Sequence, residues 1–145
     1  MKKLCILILA VISVFLLVSC AEKLKENQVS YANNITENML IGINKDDYQK
    51  YTQDANQKFK DVVNENQMKQ SNKAISDKIG DYVAGSKVFE GASRTSSNRN
   101  KYITVMYNSK FTNETGNVII TVTFDDNDKH QVAGILFNSE KLRKK

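Results

Sequence analysis

The stretch VIITVTF, residues 118–124, decides how the rest of the chain is read. Val118, Ile120, Val122 and Phe124 alternate with Thr121 and Thr123. A period of two in a β-branched, aromatic segment is the pattern of a strand with one face buried and one face open. DDNDKH (125–130) follows as a turn, and Val132–Phe137 is the next strand. On the other side, TNETGN (112–117) is a turn around Gly116. Tyr102–Phe111 is a strand that sets Ile103, Val105, Tyr107 and Phe111 against Thr104 and Asn108. Ser86–Arg94 reads as the first strand and RTSSNRN (94–100) as a polar loop. Connections this short force antiparallel neighbours, because parallel pairing needs a long crossover.

Before Gly80 the period is helical. Tyr31, Ile35, Met39, Leu40 and Ile43 fall on one face, and Gly42 and Asn44 mark its end. Asn44 is expected to cap a second helix, with Asp47 reaching back and a stripe of Tyr48, Tyr51, Ala55, Phe59 and Val62. Asn64 or Asn66 starts a third, in which Met68, Ile75 and Ile79 face inward and Gly80 provides the stop. Helices first and strands afterwards define an α+β domain, with N-terminal helices on one face of a four-stranded, mostly antiparallel sheet. The tail SEKLRKK is expected to fray.

The chain start is of another kind. Lys2 and Lys3 precede fifteen residues, Leu4 to Val18, interrupted only by Cys5 and Ser13. A helix of that length reaches about 22 Å, short of the roughly 30 Å hydrocarbon core, so the segment reads as a cleaved leader rather than a membrane span. Its exit, Leu17-Val18-Ser19-Cys20, resembles the bacterial lipobox. The Cys20 thiol would carry a diacylglyceryl thioether, and Leu17, Val18 and Ser19 would be read by the signal peptidase, the small Ser19 allowing close approach to the scissile bond. The expected organisation is a signal peptide (1–19), the lipidated cysteine with a short tether (20–30) and one α+β domain (31–143). The expected location is the extracytoplasmic face of the cell membrane, held there by two acyl chains.

Composition narrows the chemistry. Removal of 19 residues from 145 leaves 126, and loss of Lys2 and Lys3 takes the net charge from +5 to +3. So small a charge on an exported domain does not favour nucleic acid. With Cys5 removed and Cys20 alkylated, neither of the two cysteines is left for a disulfide or a thiolate ligand. His130 is the single histidine, which excludes a His-rich metal site; no metal and no cofactor are expected. GSKVF and GASRT do not make a nucleophile elbow, and S-x-x-K and the phosphate-binding P-loop are missing. In DDNDKHQVAGIL (125–136) Lys129 and Leu136 stand where a calcium loop needs oxygen ligands. Asp46, Asp47, Asp54 and Asp61 are candidates for acid–base work, but helical periodicity turns Asp54 and Asp61 to water. His130 is expected to be solvated in its turn, and Arg94, Arg99 and Lys101 to lie in a solvated loop able to meet phosphate.

INKDDYQKYTQDANQKFKDVV, IGDYV and VAGILFNSEKLR together resemble the lipoprotein-associated family known as domain of unknown function 3887, over residues 35–143. Gly134, Phe137, Lys141, Leu142 and Arg143 match its ending; Leu136 stands where the family usually carries an aromatic. The resemblance implies a cone-shaped, cystatin-like or nuclear transport factor two-like fold, with helices against a curved antiparallel sheet, and brings no activity with it. Tyr48, Tyr51, Phe59, Tyr107, Phe111, Phe124 and Phe137 are then the candidates to line a pocket between helices and sheet. The expected function is binding of a small ligand or a protein partner beside the membrane. A small isomerase- or hydratase-like enzyme using a buried carboxylate or tyrosine is the alternative, and a module pairing with a second copy of itself is a third.

Overall fold

The structure, a computed structural model, describes residues 21–97 and 99–144. Its strands are β1 (Glu22–Leu24), β2 (Val88–Ser97), β3 (Asn100–Ser109), β4 (Val118–Asp125) and β5 (Val132–Asn138), and its helices are α1 (Tyr31–Asn44), α2 (Tyr48–Thr52), α3 (Gln57–Val62), α4 (Glu65–Ile79) and α5 (Glu140–Arg143). The sheet is five-stranded and antiparallel, in the order β1-β2-β3-β4-β5. The expected α+β class therefore holds, and the expected count of four strands is corrected to five.

The additional strand comes from the segment read as tether. Leu24 pairs with Ala92 and is buried, Glu22 pairs with Arg94, and Val29 is 1% exposed. A charged segment joins the sheet because one apolar side chain enters the core and one ion pair, Arg94 Nη1 to Glu22 Oε2 at 2.8 Å, closes the edge. RTSSNRN is likewise mostly strand rather than loop. Thr95 pairs with Tyr102 and Ser97 with Asn100, so the chain reverses over two residues, and Arg99 takes a left-handed φ of 68°.

In β4 burial alternates without a break. Val118, Ile120, Val122 and Phe124 are all 0% exposed, while the residues between them face the uncovered side. Ile103, Val105 and Tyr107 of β3 share the buried face and meet Ala32, Met39, Leu40, Met68 and Ile79 of the helices. Two register shifts, at Phe89/Gly91 and Thr123/Phe124, bend the sheet.

The second expected helix is two. Asp47, not Asn44, caps α2, accepting Lys50 N at 2.9 Å. Asn56 caps α3, accepting Phe59 N at 2.8 Å. The break serves the sheet edge: Asn56 N donates to Val132 O, Val132 N donates to Asp54 O, and Asn56 Nδ2 donates to Asp125 Oδ2. Val62, placed on the apolar stripe by spacing, is 69% exposed because its helix ends there. Asn44 instead joins α1 to the chain after α4, exchanging hydrogen bonds with the backbone of Tyr82.

Helix α4 starts at Asn64 with a capping box completed by Gln67. It stops at Gly80, whose φ is +75° and where a Cβ would stand 2.1 Å from Thr112 Oγ1. Gly42 has a different reason: a Cβ there would lie 2.7 Å from the backbone nitrogen of Tyr51, so its absence sets how closely α1 and α2 approach. The tail forms α5, capped by Ser139 Oγ accepting Leu142 N at 3.2 Å.

Candidate ligand cavity

A cavity of about 210 Å³ opens between α1, α2, α3, α4 and the far half of β5. Its walls are Ile43, Tyr51, Phe59, Val63, Met68, Ile75, Ile135 and Phe137, with Ser71 and Asn72 as the polar members. Helical spacing brings Met68, Ser71, Asn72 and Ile75 onto one side of α4, and strand alternation brings Ile135 and Phe137 to the inner face of β5.

Of the seven aromatics expected to line a pocket, Tyr51, Phe59 and Phe137 do so here. Tyr51 and Phe59 meet edge to face, with centroids 5.7 Å apart. The Tyr51 phenol is pushed up to about 12, by burial first and then by the nearby Tyr48, so it stays protonated at any physiological pH. Tyr48 stands just outside, its hydroxyl donating to Val63 O at 2.9 Å. The other three are elsewhere. Phe124 is fully buried beneath Tyr31, edge to face at 5.3 Å. Phe111 packs between Tyr82 and Phe137 and borders a second, more polar cavity of about 290 Å³. Tyr107 lies under Phe89 and the Lys87 ammonium and borders an open depression by residues 25–33. Alternation tells which face a ring is on; it does not tell which neighbours it has.

Asn72 carried no signal in the sequence, being one polar residue among several on α4. It is 7% exposed because its amide donates to Ile43 O and to Asp46 Oδ1, both at 3.0 Å. It closes the end of α1 and forms the wall shared by the two cavities. Ser71 is an exposed residue at the rim.

None of the candidate carboxylates borders the 210 Å³ cavity. Asp46 holds Asn72 and Asp47 caps α2. Asp61 accepts from Gln57 Nε2 and is exposed, as expected, and Asp54 is half-buried at the β5 edge. His130 is not freely solvated: its ring stacks on Tyr31 at 3.9 Å, within 8° of parallel, and Nδ1 is buried. Beside this stack Arg94 bonds Asp126 Oδ2 at 2.8 Å as well as Glu22. Burial first, and then the Asp126 charge, raise the Tyr31 phenol against the opposing pull of Arg94.

The lipobox positions Leu17, Val18, Ser19 and Cys20 lie outside the described residues. Among the described residues no helix is long and apolar enough to cross a membrane. No family model, curated protein or solved structure gives a significant match to this chain.

Proposed function

We propose that this chain is a bacterial lipoprotein, anchored through a diacylglyceryl group on Cys20 at the extracytoplasmic face of the membrane, whose domain of nuclear transport factor two-like, cone-shaped type holds a small apolar ligand without chemical conversion. The relation to domain of unknown function 3887 is part of this reading and rests on the closing VAGILF…KLR segment and the Gly-ended helix. The observation that carries the binding role is the wall of the 210 Å³ cavity: aliphatic and aromatic side chains, one neutral phenol, one amide and one hydroxyl, with no carboxylate in reach of its contents. A general base of the isomerase kind needs a carboxylate, an imidazole or an ionised tyrosine within hydrogen-bond distance of substrate. The cavity lining holds neither of the first two, and the raised Tyr51 phenol stays protonated at neutral pH.

Placing a ring at the rim tests this. Ser71→Phe is expected to leave the fold intact, since Ser71 is exposed, and to weaken saturable binding of anilinonaphthalene sulfonate at least about tenfold, the equivalent of 1.4 kcal/mol. Equal binding by both proteins, followed by fluorescence titration, would place the probe elsewhere and remove the cavity's claim.

A specific observation favours a second reading, pairing with another copy through the uncovered sheet face. Gly91, Met106, Thr121 and Leu136 are consecutive cross-strand partners, with Leu136 63% and Met106 39% exposed. Pairing there predicts a concentration-dependent rise in sedimentation coefficient that Leu136→Lys abolishes; a monomer at every concentration dismisses it.

A further inference from the structure

We infer that one end of the sheet is a docking surface for anionic lipid headgroups, so that the domain stands on the membrane in a fixed orientation. The inference rests on the proposed acylation of Cys20.

The first ground is distance. Glu22 is already paired with Arg94 in the sheet, and Cys20 is two residues earlier. Two peptide units span at most about 7 Å, so an acyl-bearing Cys20 leaves the domain no tether on which to swing. The second ground is direction. β1 is antiparallel to β2, so the start of β1 and the end of β2 lie at the same end of the sheet. From Arg94 the β2–β3 hairpin runs on for three residues to Ser97, about 10 Å at the rise of a strand. The β4–β5 turn is at this end too: Tyr102 pairs with Asp125, and Asp126 N donates to Lys101 O at 3.0 Å.

The third ground is charge. The acids of this end are mostly engaged within the protein. Glu22 and Asp126 both bond Arg94, and Asp125 accepts from Asn56. Arg94, counted from sequence among the cations free to meet phosphate, is thereby used internally. Arg99, Lys101 and Lys129 are exposed and form no ion pair among the described residues, against two exposed acids, Asp128 and Glu22, the second of which is held by Arg94. The neighbouring side chains Ser96 and Asn100 are polar, which suits the headgroup layer and not the hydrocarbon. Each basic side chain at an anionic surface strengthens attachment by about 1 kcal/mol, or about fivefold. The contact loosens with salt, because these cations face water.

The experiment uses the acylated chain in vesicles of phosphatidylcholine, with or without phosphatidylglycerol. A nitroxide is placed at Ser96→Cys, or at Asn117→Cys in the exposed β3–β4 connection at the opposite end. A nickel-chelating lipid relaxes whichever label approaches the headgroups. The expected result is strong relaxation at position 96 and little at 117 in phosphatidylglycerol vesicles, with the position 96 effect reduced at least about fivefold by Arg99→Glu/Lys101→Glu/Lys129→Glu. Equal relaxation of the two labels, or indifference to the charge reversal, would overturn the docking while leaving the anchor standing. Displacement by soluble polyglycerol phosphate without any effect of phosphatidylglycerol would assign the surface to a wall polymer instead and also overturn it. A chain carrying no acyl groups by mass would overturn the anchor and the docking together.

Discussion

Replacing Glu37 with alanine is expected to destabilise the domain by about 3 kcal/mol, toward the lower end of the range for breaking a buried pair because one partner keeps some contact with water. The Glu37 carboxylate accepts from Tyr82 Oη and Gly85 N, each at 2.9 Å, and pairs with Lys87 Nζ at 2.8 Å. The Lys87 side chain is 5% exposed and that of Glu37 22%. Removing the acid strands an ammonium that, among the described residues, has only the Tyr107 ring, 5.6 Å away, in place of its partner. The double variant Glu37→Met/Lys87→Met is expected to recover about 1–2 kcal/mol of the loss, since neither charge is then desolvated. A remainder of about 1–2 kcal/mol reflects the unpartnered Tyr82 hydroxyl and Gly85 amide. Urea denaturation measures both, and a double variant as unstable as Glu37→Ala would show that the ion pair is not the reason.

The same network sets an acid limit. Burial alone would raise the Glu37 carboxyl, but hydrogen bonds from Lys87, Gly85 and Tyr82, with the Lys87 charge, outweigh it and hold the group below its ordinary value of 4.5. A carboxyl depressed in the folded state contributes stability above its unfolded pKa and loses it as pH falls through the folded one. Stability is therefore expected to decline below the ordinary carboxylate range, with a shallower decline in the Glu37→Ala variant. The partner Tyr82 is raised to about 12, by burial first and then by Glu37, and so remains a donor at neutral pH.

Phe124→Ala is expected to cost about 3–5 kcal/mol, whereas Thr123→Ala, one position earlier, should stay within about 0.5 kcal/mol. Phe124 is 0% exposed and supports Tyr31 edge to face. Thr123 pairs with Thr104 and Gly134 on the uncovered side. The denaturation midpoint should fall for the phenylalanine with an unchanged slope. A larger loss at Thr123 than at Phe124 would mean that the buried face of β4 is the other one.

That contrast marks how much was legible in the residues. The alternation in 118–124 and the change of period at Gly80 announce strands and helices, and both are local properties. The glycine stop of α4 and its Asn64 cap are local as well. Strand β1 was not legible, because three residues with one apolar side chain carry no period, and their pairing depends on Arg94, seventy-two positions away. The split between α2 and α3 was hidden for a related reason: Tyr48, Tyr51, Ala55 and Phe59 keep helical spacing straight through it. What breaks the helix is Val132 hydrogen-bonding to Asp54 and Asn56. The cavity was half legible. Aromatic content pointed to Tyr51, Phe59 and Phe137, but Asn72 is a wall only because the end of α1 needs its amide.

Acylation of Cys20 fixes the location and, with Glu22 already paired in the sheet, brings the headgroup contact within reach. Intact-mass spectrometry of the protein extracted from membranes tests it most directly. The expected product is a chain beginning at Cys20 and heavier than the polypeptide by a diacylglyceryl group, with both features lost on Cys20→Ala. A full-length unmodified chain, or a processed chain of bare polypeptide mass, would contradict it.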